Sequence, residues 1–257
     1  QTRVAEAVAG GVDFITRVAL DQAVQLKRTN GIKVTQGGSY FYHLLRLNTR
    51  DGSPAPQLRD IRVRRAIMHA IDREAIAKHL AGEGSQVIQV ACHPLHFGCS
   101  DAMAPRYDYD PIKARQLLAE AGYPHGFAID LYAYNNRNQS EALLGYLQAV
   151  GIDAGLRFLQ FPAVRTATRA NRAALIHAGL GTVTLDVANS TSPYFEGSPD
   201  DVNHDTDVSV LLERGDAALD PSVREQAYAM ALGLIADRAY ALPLFTEPFF
   251  HVTSDRL

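Results

Sequence analysis

The 257-residue chain contains no tryptophan, only two cysteines and only three methionines. It has no uninterrupted apolar run near the roughly 20 residues that a membrane-spanning helix needs. Charged residues make up 21% of the chain, and the formal net charge is −3. Because a phosphate-binding domain is normally basic, this balance argues against nucleic acid as the main partner.

Sequence motifs of catalysis are also missing. There is no Gly-x-Ser-x-Gly elbow, no His-Glu-x-x-His and no phosphate loop ending in Gly-Lys-Ser/Thr. Gly179 and Gly181 open a dinucleotide-like pattern, but Thr184 stands where its third glycine belongs. We therefore expect a binding protein rather than an enzyme, with no catalytic residue and no cofactor.

Hydrophobic residues make up 47% of the chain, an ordinary fraction for a globular protein of this size, which could bury one large core or two modest ones. No signal peptide is visible. The first residues instead read as a helix that stops at Gly10 and Gly11. We expect the chain to be a piece of a longer protein, so that the missing signal says nothing about its compartment.

Three helices between residues 60 and 122 are marked by their end residues. Asp60 is placed to cap a helix whose apolar positions, from Val63 to Ile71, recur at helical spacing. Asp72 is placed to cap a second helix that reaches Leu80. The third has Asp110 as its cap, and its remaining signals are Pro111 at the first helical position, Leu117, Leu118 and Ala121 facing inward, and Gly122 as its stop.

The rest of the chain predicts a mixed sheet. Residues 127–133 and 152–158 alternate as strands around a helix at 141–150, and such a unit gives parallel strands through a right-handed crossover. Further strands are predicted at 12–15, 40–48, 174–178 and 242–246, and a helix follows Asp220 and Pro221. The predicted fold class is α/β with a mixed sheet and flanking helices.

The two cysteines, Cys92 and Cys99, lie in a short loop with His93, Pro94 and His96 between them. A disulfide would fit an oxidising compartment. The same spacing allows a pair of free thiols, or a zinc site that uses both cysteines and one of the histidines.

Several short sequence motifs, taken together and in their order along the chain, resemble those of one protein family. They occupy residues 9–14, 59–67, 71–73, 109–111, 113–122 and 147–152. The set resembles the peptide/nickel class, family 5, of extracytoplasmic solute-binding proteins that serve ABC importers. The resemblance spans nearly the whole chain. It further favours the Cys92–Cys99 disulfide and no metal, since such proteins are periplasmic.

The resemblance implies that residues 1–257 form the C-terminal lobe of a two-lobed, periplasmic-binding-protein-like (class II) fold. Segments of the hinge would lie at about residues 1–50 and 240–257, and the N-terminal lobe would be absent from this chain. It also implies a periplasmic or extracytoplasmic location. The partners would be a small-molecule or peptide ligand and the membrane subunits of an ABC permease.

The same resemblance selects candidate ligand-binding residues. Asp186 is the nearest match to an acidic residue that pairs with a ligand's amino group, although it could equally cap the next turn. Arg169 and His177 match places where some members carry arginines for a carboxylate, with a solvated surface position as the alternative for both. Thr182 lies in the polar stretch that follows a buried strand. Tyr40 and Tyr42 could face the cleft or pack into the core.

These features predict a receptor that binds a short peptide or related amine-bearing solute between two lobes. A first alternative is a receptor for a nickel chelate or an opine-like solute, with His177 near the metal complex. A second, from a different class, is an α/β enzyme whose catalytic residues form no recognisable motif.

Overall fold

The computed structural model describes residues 2–181 and 184–257. The helices are α1 (Thr2–Val8), α2 (Leu20–Leu26), α3 (Ile61–Ala70), α4 (Arg73–Ile76), α5 (Pro111–Glu120), α6 (Arg137–Ala149), α7 (Phe161–Arg169), α8 (Val187–Ser190), α9 (Ser192–Phe195), α10 (Thr206–Ala217) and α11 (Pro221–Asp237). The strands are β1 (Phe14–Val18), β2 (Ile32–Gly37), β3 (Tyr42–Leu47), β4 (Phe127–Ala133), β5 (Ile152–Phe158), β6 (Leu175–Leu180), β7 (Ala241–Thr246) and β8 (Phe249–Ser254). Within this described part, no helix is long and apolar enough to cross a membrane.

A five-stranded mixed sheet forms the centre, in the order β5-β4-β6-β3-β7. Strands β5, β4 and β6 run parallel, whereas β3 is antiparallel to both β6 and β7. The predicted strand–helix–strand unit is confirmed, with Phe127 opposite Ile152 at the start of its parallel pair. Its helix begins earlier than expected, at Arg137, because the Asn136 side chain accepts a bond from the amide of Gln139.

Both faces of the central sheet are buried, and each belongs to its own core. Along β3, Tyr42 and Leu44 enter one core, and Leu45 and Leu47 enter the other. Because both faces of the sheet are covered, the inner strands have no face toward solvent. All six residues of each of β3, β6 and β7 are therefore buried.

The two ends of the chain build a second, three-stranded sheet in the order β1-β8-β2. Strand β8 lies in the middle and is antiparallel to both neighbours. A small core of its own, which includes Ala23, Leu26 and Val252, lies beneath it. The predicted strand at 12–15 was placed too early, since β1 begins at Phe14, and β8 was not predicted.

The predicted helix caps at Asp60, Asp72, Asp110 and Asp220 are confirmed, since each side chain accepts a backbone amide bond in the first turn. The prediction for residues 72–80 was wrong in one respect. Regular helix ends at Ile76, and a π-helical turn, Ala77–Ala81, follows.

The residues predicted to face inward in α5 do contact the core. Leu118 is buried, and Leu117 and Ala121 are partly buried against the same cluster. The predicted stop is confirmed, since Gly122 adopts φ +92°, the left-handed conformation that ends many helices.

Candidate functional site

The candidate site lies at the edge of the central sheet where β6 and β7 end and β3 begins. There Tyr42 pairs with Leu180 on one side and with Thr246 on the other. The chain passes between its two sheets twice near this edge, once between β2 and β3 and once between β7 and β8. We call these two segments, residues 38–41 and 247–248, the crossings.

A cleft of about 370 Å³ opens beside the crossings. Its walls come from the end of β2, both crossings, the end of β7, residues 84 and 86, and the disulfide loop. The lining residues are Gln36, Gly37, Gly38, Ser39, Gly84, Gln86, His93, Pro94, Leu95, Thr246, Glu247 and Pro248. The walls thus carry amide, hydroxyl, imidazole and carboxylate groups that could bind a small solute, set among apolar surface.

Hydrogen bonds tie the two crossings together at Glu247. Its backbone amide donates to the carbonyl of Phe41 at 2.9 Å, and the Ser39 hydroxyl donates to its carbonyl oxygen. The same Ser39 hydroxyl also accepts from the Phe41 amide at 3.1 Å. The floor of the cleft is thus held by bonds between segments about 200 residues apart.

The Glu247 side chain heads a buried chain of polar groups that reaches helix α6. Its Oε2 lies 2.6 Å from His43 Nε2, and His43 Nδ1 lies 3.2 Å from His177 Nε2. His177 Nδ1 then lies 2.8 Å from the hydroxyl of Ser140. Burial first, and the neighbouring His43 second, lower the pKa of His177 well below 6.5, so this ring is uncharged at neutral pH.

The disulfide loop forms the opposite wall. Cys92 and Cys99 are joined, with their Cα atoms 5.8 Å apart, which confirms the predicted disulfide. Gly98 closes the loop at φ +79°, where an added Cβ would meet the Tyr228 ring at 2.3 Å. Among the described residues, no group of three or more His, Cys, Asp or Glu side chains is placed to hold a metal ion.

The two histidines of this loop are neutral at pH 7. Burial lowers the pKa of His93. Burial, with the neighbouring His93, lowers the pKa of His96 to about 4, and the His96 Nδ1 lies 2.9 Å from the Ser190 hydroxyl. Neither ring adds positive charge to the cleft at that pH.

The two predicted tyrosines occupy different places. Tyr40 is 43% exposed, and its ring centre lies 6.0 Å from that of His93, which lines the cleft. Tyr42 is fully buried, and its hydroxyl donates to the carbonyl of Ser190 at 3.1 Å. Burial, as the largest effect, raises the pKa of Tyr42, so its hydroxyl stays protonated. Of the two readings left open for Tyr42, the structure shows core packing.

Asp186 has protein partners for its carboxylate. It caps α8 by accepting the Ala188 amide at 2.9 Å, and Arg224 lies 3.0 and 2.9 Å from its two oxygens. The cap expected as the alternative is therefore present. Its pairing with a ligand's amino group remains a prediction, in which a solute would have to compete with Arg224.

Arg169 makes the two-pronged carboxylate contact expected of it, but with a residue of this chain. It donates to both oxygens of Asp200 at 2.9 and 2.8 Å, and Arg165 donates to the same carboxylate. Burial by itself raises the pKa of Asp200, but the bonds from Arg169 and Arg165 outweigh it and hold that pKa well below its usual range. A ligand contact for Arg169 remains a prediction.

The surface position suggested for His177 was wrong. The residue is 1% exposed, because β6 is covered on both faces, and both ring nitrogens have partners. Contact with a solute remains a prediction that would require these bonds to break. Thr182 lies outside the described residues.

Sequence reasoning missed Glu247, His43 and His93. One available signal was the position of Glu247, a charged residue directly after the buried strand β7 and before a proline. Ligands gather at such strand ends in α/β folds. No local sequence pattern indicated that Glu247 would contact His43, which lies 204 residues earlier in the chain.

Residues 1–201 match the family model of the bacterial extracellular solute-binding proteins, family 5 Middle. The chain belongs to this family. The glutathione-binding protein GsiB of Escherichia coli (strain K12) is 28% identical over 157 residues, which are 61% of this chain and 29% of the relative.

Solved family 5 neighbours share the fold. The periplasmic binding protein DppA of Helicobacter pylori, in complex with the peptide STSA, superposes with a TM-score of 0.86 at 23% identity over 98% of this chain. The dipeptide-binding protein of Pseudoalteromonas sp. SM9913, in complex with Met-Leu, gives 0.85 at 22% identity over 99% of this chain. The chain spans 50% and 52% of those two proteins.

Proposed function

We propose that this chain is the C-terminal lobe of a substrate-binding component of an ABC importer. In the whole protein, a short peptide or related amine-bearing solute binds in a cleft between this lobe and an N-terminal lobe outside the chain. The solute is then delivered to the membrane subunits of a permease in the periplasm or another extracytoplasmic space. Residues of the crossings and the two chain ends, within about 1–50 and 240–257, act as the hinge region.

One observation carries the proposal: the cleft is lined by both crossings of the chain between its two sheets. A cleft at such crossings changes shape when the bodies on either side rotate, so a solute bound there favours closure. Family membership supports a binding role. The glutathione, STSA and Met-Leu named for the relatives are all peptides with a free amino group.

The buried polar chain argues against the hydrolase alternative. Ser140, His177, His43 and Glu247 contain the residue types of a nucleophilic triad, but Ser140 is 0% exposed at the inner end of the chain. A nucleophile must reach its substrate, and Ser140 is covered by packed protein. The nickel-chelate or opine alternative loses its proposed metal contact, since the ring of His177 lies in the same buried place.

The experiment uses the whole protein that contains this chain. Calorimetric titration with Met-Leu and with glutathione should give saturable binding, and chromatography of the recovered solute should show no turnover. The 257-residue chain alone should bind at least tenfold more weakly, since losing about 1.4 kcal/mol of contacts costs that factor. Turnover of the solute, or equal affinity in the chain and the whole protein, would contradict the proposal.

A further inference from the structure

We infer that Glu247 is the residue that accepts the cationic group of the solute. This inference rests on the proposed function, since it names the group that the solute presents to the cleft.

The charge of the cleft is the first argument. Among the twelve described residues that line it, Glu247 is the only Asp, Glu, Lys or Arg. His93 adds no positive charge at neutral pH, because burial lowers its pKa. A cleft whose lining carries one carboxylate and no Lys or Arg attracts an ammonium group and repels a carboxylate.

The hydrogen bonds of Glu247 are the second argument. Its Oε2 takes one bond from His43, and its Oε1 lies 3.3 Å from the side-chain amide of Gln139. An ionised carboxylate can accept about four bonds, so two acceptor positions are left. The side chain is 21% exposed and lines the cleft, which makes these positions available to a solute.

Asp186 gives the contrast within the same chain. Both of its oxygens lie within 3.0 Å of the Arg224 guanidinium, and one also accepts a backbone amide. Its charge is therefore already balanced by a permanent cation. Within the described part of the chain, Glu247 is held by a histidine and an amide and forms no ion pair with an Arg or Lys.

The buried polar groups behind Glu247 hold its carboxylate in place. Glu247 Oε2 lies 2.6 Å from His43 Nε2, and His43 is in turn held by His177, which lies beside the Ser140 hydroxyl. One carboxylate oxygen is therefore fixed from the interior, while the residue still lines the cleft.

The test uses the whole protein and native mass spectrometry with two probes: an equimolar dipeptide mixture with free amino termini, and the same mixture after N-acetylation. Wild-type protein should bind the free mixture at least tenfold more tightly. Glu247→Gln, which keeps the size and removes the charge, should reduce this preference about tenfold. Glu141→Gln, an exposed carboxylate on α6, is the matched control and should leave the preference unchanged.

The outcomes separate this inference from the proposed function. If neither wild-type nor Glu247→Gln protein binds either mixture, the proposed function fails. If wild-type protein binds both mixtures equally, or Glu247→Gln keeps the full preference, Glu247 is not the acceptor although the receptor role stands. The wild-type comparison holds even if the variant does not fold.

Discussion

His43 Nε2 and Glu247 Oε2 lie 2.6 Å apart, although 204 residues of sequence separate them. One residue belongs to the second strand position of β3 and the other directly follows β7, the antiparallel neighbour of β3. Their bond places a carboxylate at the mouth of a cleft and its partner inside the sheet. This contact connects the surface of the cleft, where we propose that a solute binds, to the buried interior of the central sheet.

Acid should destabilise the folded chain partly through His96. An unfolded histidine has a pKa near 6.5, whereas burial lowers the pKa of His96 in the fold to about 4. As the pH falls below 6.5, His96 becomes protonated in the unfolded state but stays neutral in the folded state. The free energy of unfolding therefore decreases until about pH 4. Urea unfolding at pH 7.5 and pH 5 should show this loss.

His96→Asn is the control for that experiment, because an asparagine amide can still reach the Ser190 hydroxyl but does not titrate. The variant should lose less stability between pH 7.5 and pH 5 than wild type, by on the order of 1 kcal/mol after allowance for solvent screening. Identical losses in the two proteins would show that His96 does not contribute.

Helix α5 should separate a cap effect from a core effect. Asp110→Ala removes the acceptor for the amides of Ile112 and Lys113 and should cost about 1 kcal/mol of unfolding free energy. Leu118→Ala should cost about 2–5 kcal/mol, since that side chain is buried. Leu117, the preceding residue, is only half-buried, so Leu117→Ala should lower the free energy of unfolding clearly less than Leu118→Ala. The reverse order in denaturant unfolding would contradict the observed orientation of the helix.

The disulfide should stabilise the loop that forms one wall of the cleft. Replacing both Cys92 and Cys99 by alanine should lower the free energy of unfolding by about 2–3 kcal/mol, on the loop-entropy account of so short a closure. Alkylation under denaturing, non-reducing conditions should find no free thiol in wild-type protein. Two reactive thiols would show that the disulfide is absent from the isolated protein. As a control, reduced wild-type protein should have the same free energy of unfolding as the double variant.

Asp186→Ala should act on stability rather than on binding. The substitution removes the cap of α8 and the pair with Arg224, and we expect a loss of about 1–2 kcal/mol in unfolding free energy. Affinity for the free dipeptide mixture should stay within about twofold of wild type. A tenfold loss of affinity with unchanged stability would instead support the ligand role that the family resemblance predicts for Asp186.

Local signals predicted much of the helical and parallel part of the fold. An aspartate before a proline, as at Asp110 and Asp220, specifies a helix start within three residues, and both helices begin there. Strands β4 and β5 alternate clearly and occupy the predicted residues. Helix α7 was missed because it has no capping side chain at Gln160 and only a short apolar face around Val164.

The site was harder to predict, because its key contacts join distant segments. His177 looked like a surface residue because histidines are seldom fully buried. Its burial follows from β6 being covered on both faces, which depends on where β3 and α6 pack. Asp186 and Arg169 were selected by the family resemblance, but the Arg224 and Asp200 side chains that pair with them lie 38 and 31 residues away in the sequence.

The position of β8 constrains the order in which the molecule can assemble during translation. β8 is the sole strand partner shown for β1 and β2 in their sheet, and Lys33 contacts a residue 220 positions later in the chain. Until residues 249–254 leave the ribosome, β1 and β2 lack the strand that joins them, with their edges open to pairing with other chains. The central sheet also needs β7, so the cleft forms only after residues 241–246 have been made. A nascent chain that stalls before residue 249 would therefore expose the edges of β1 and β2 and would be open to chaperone binding.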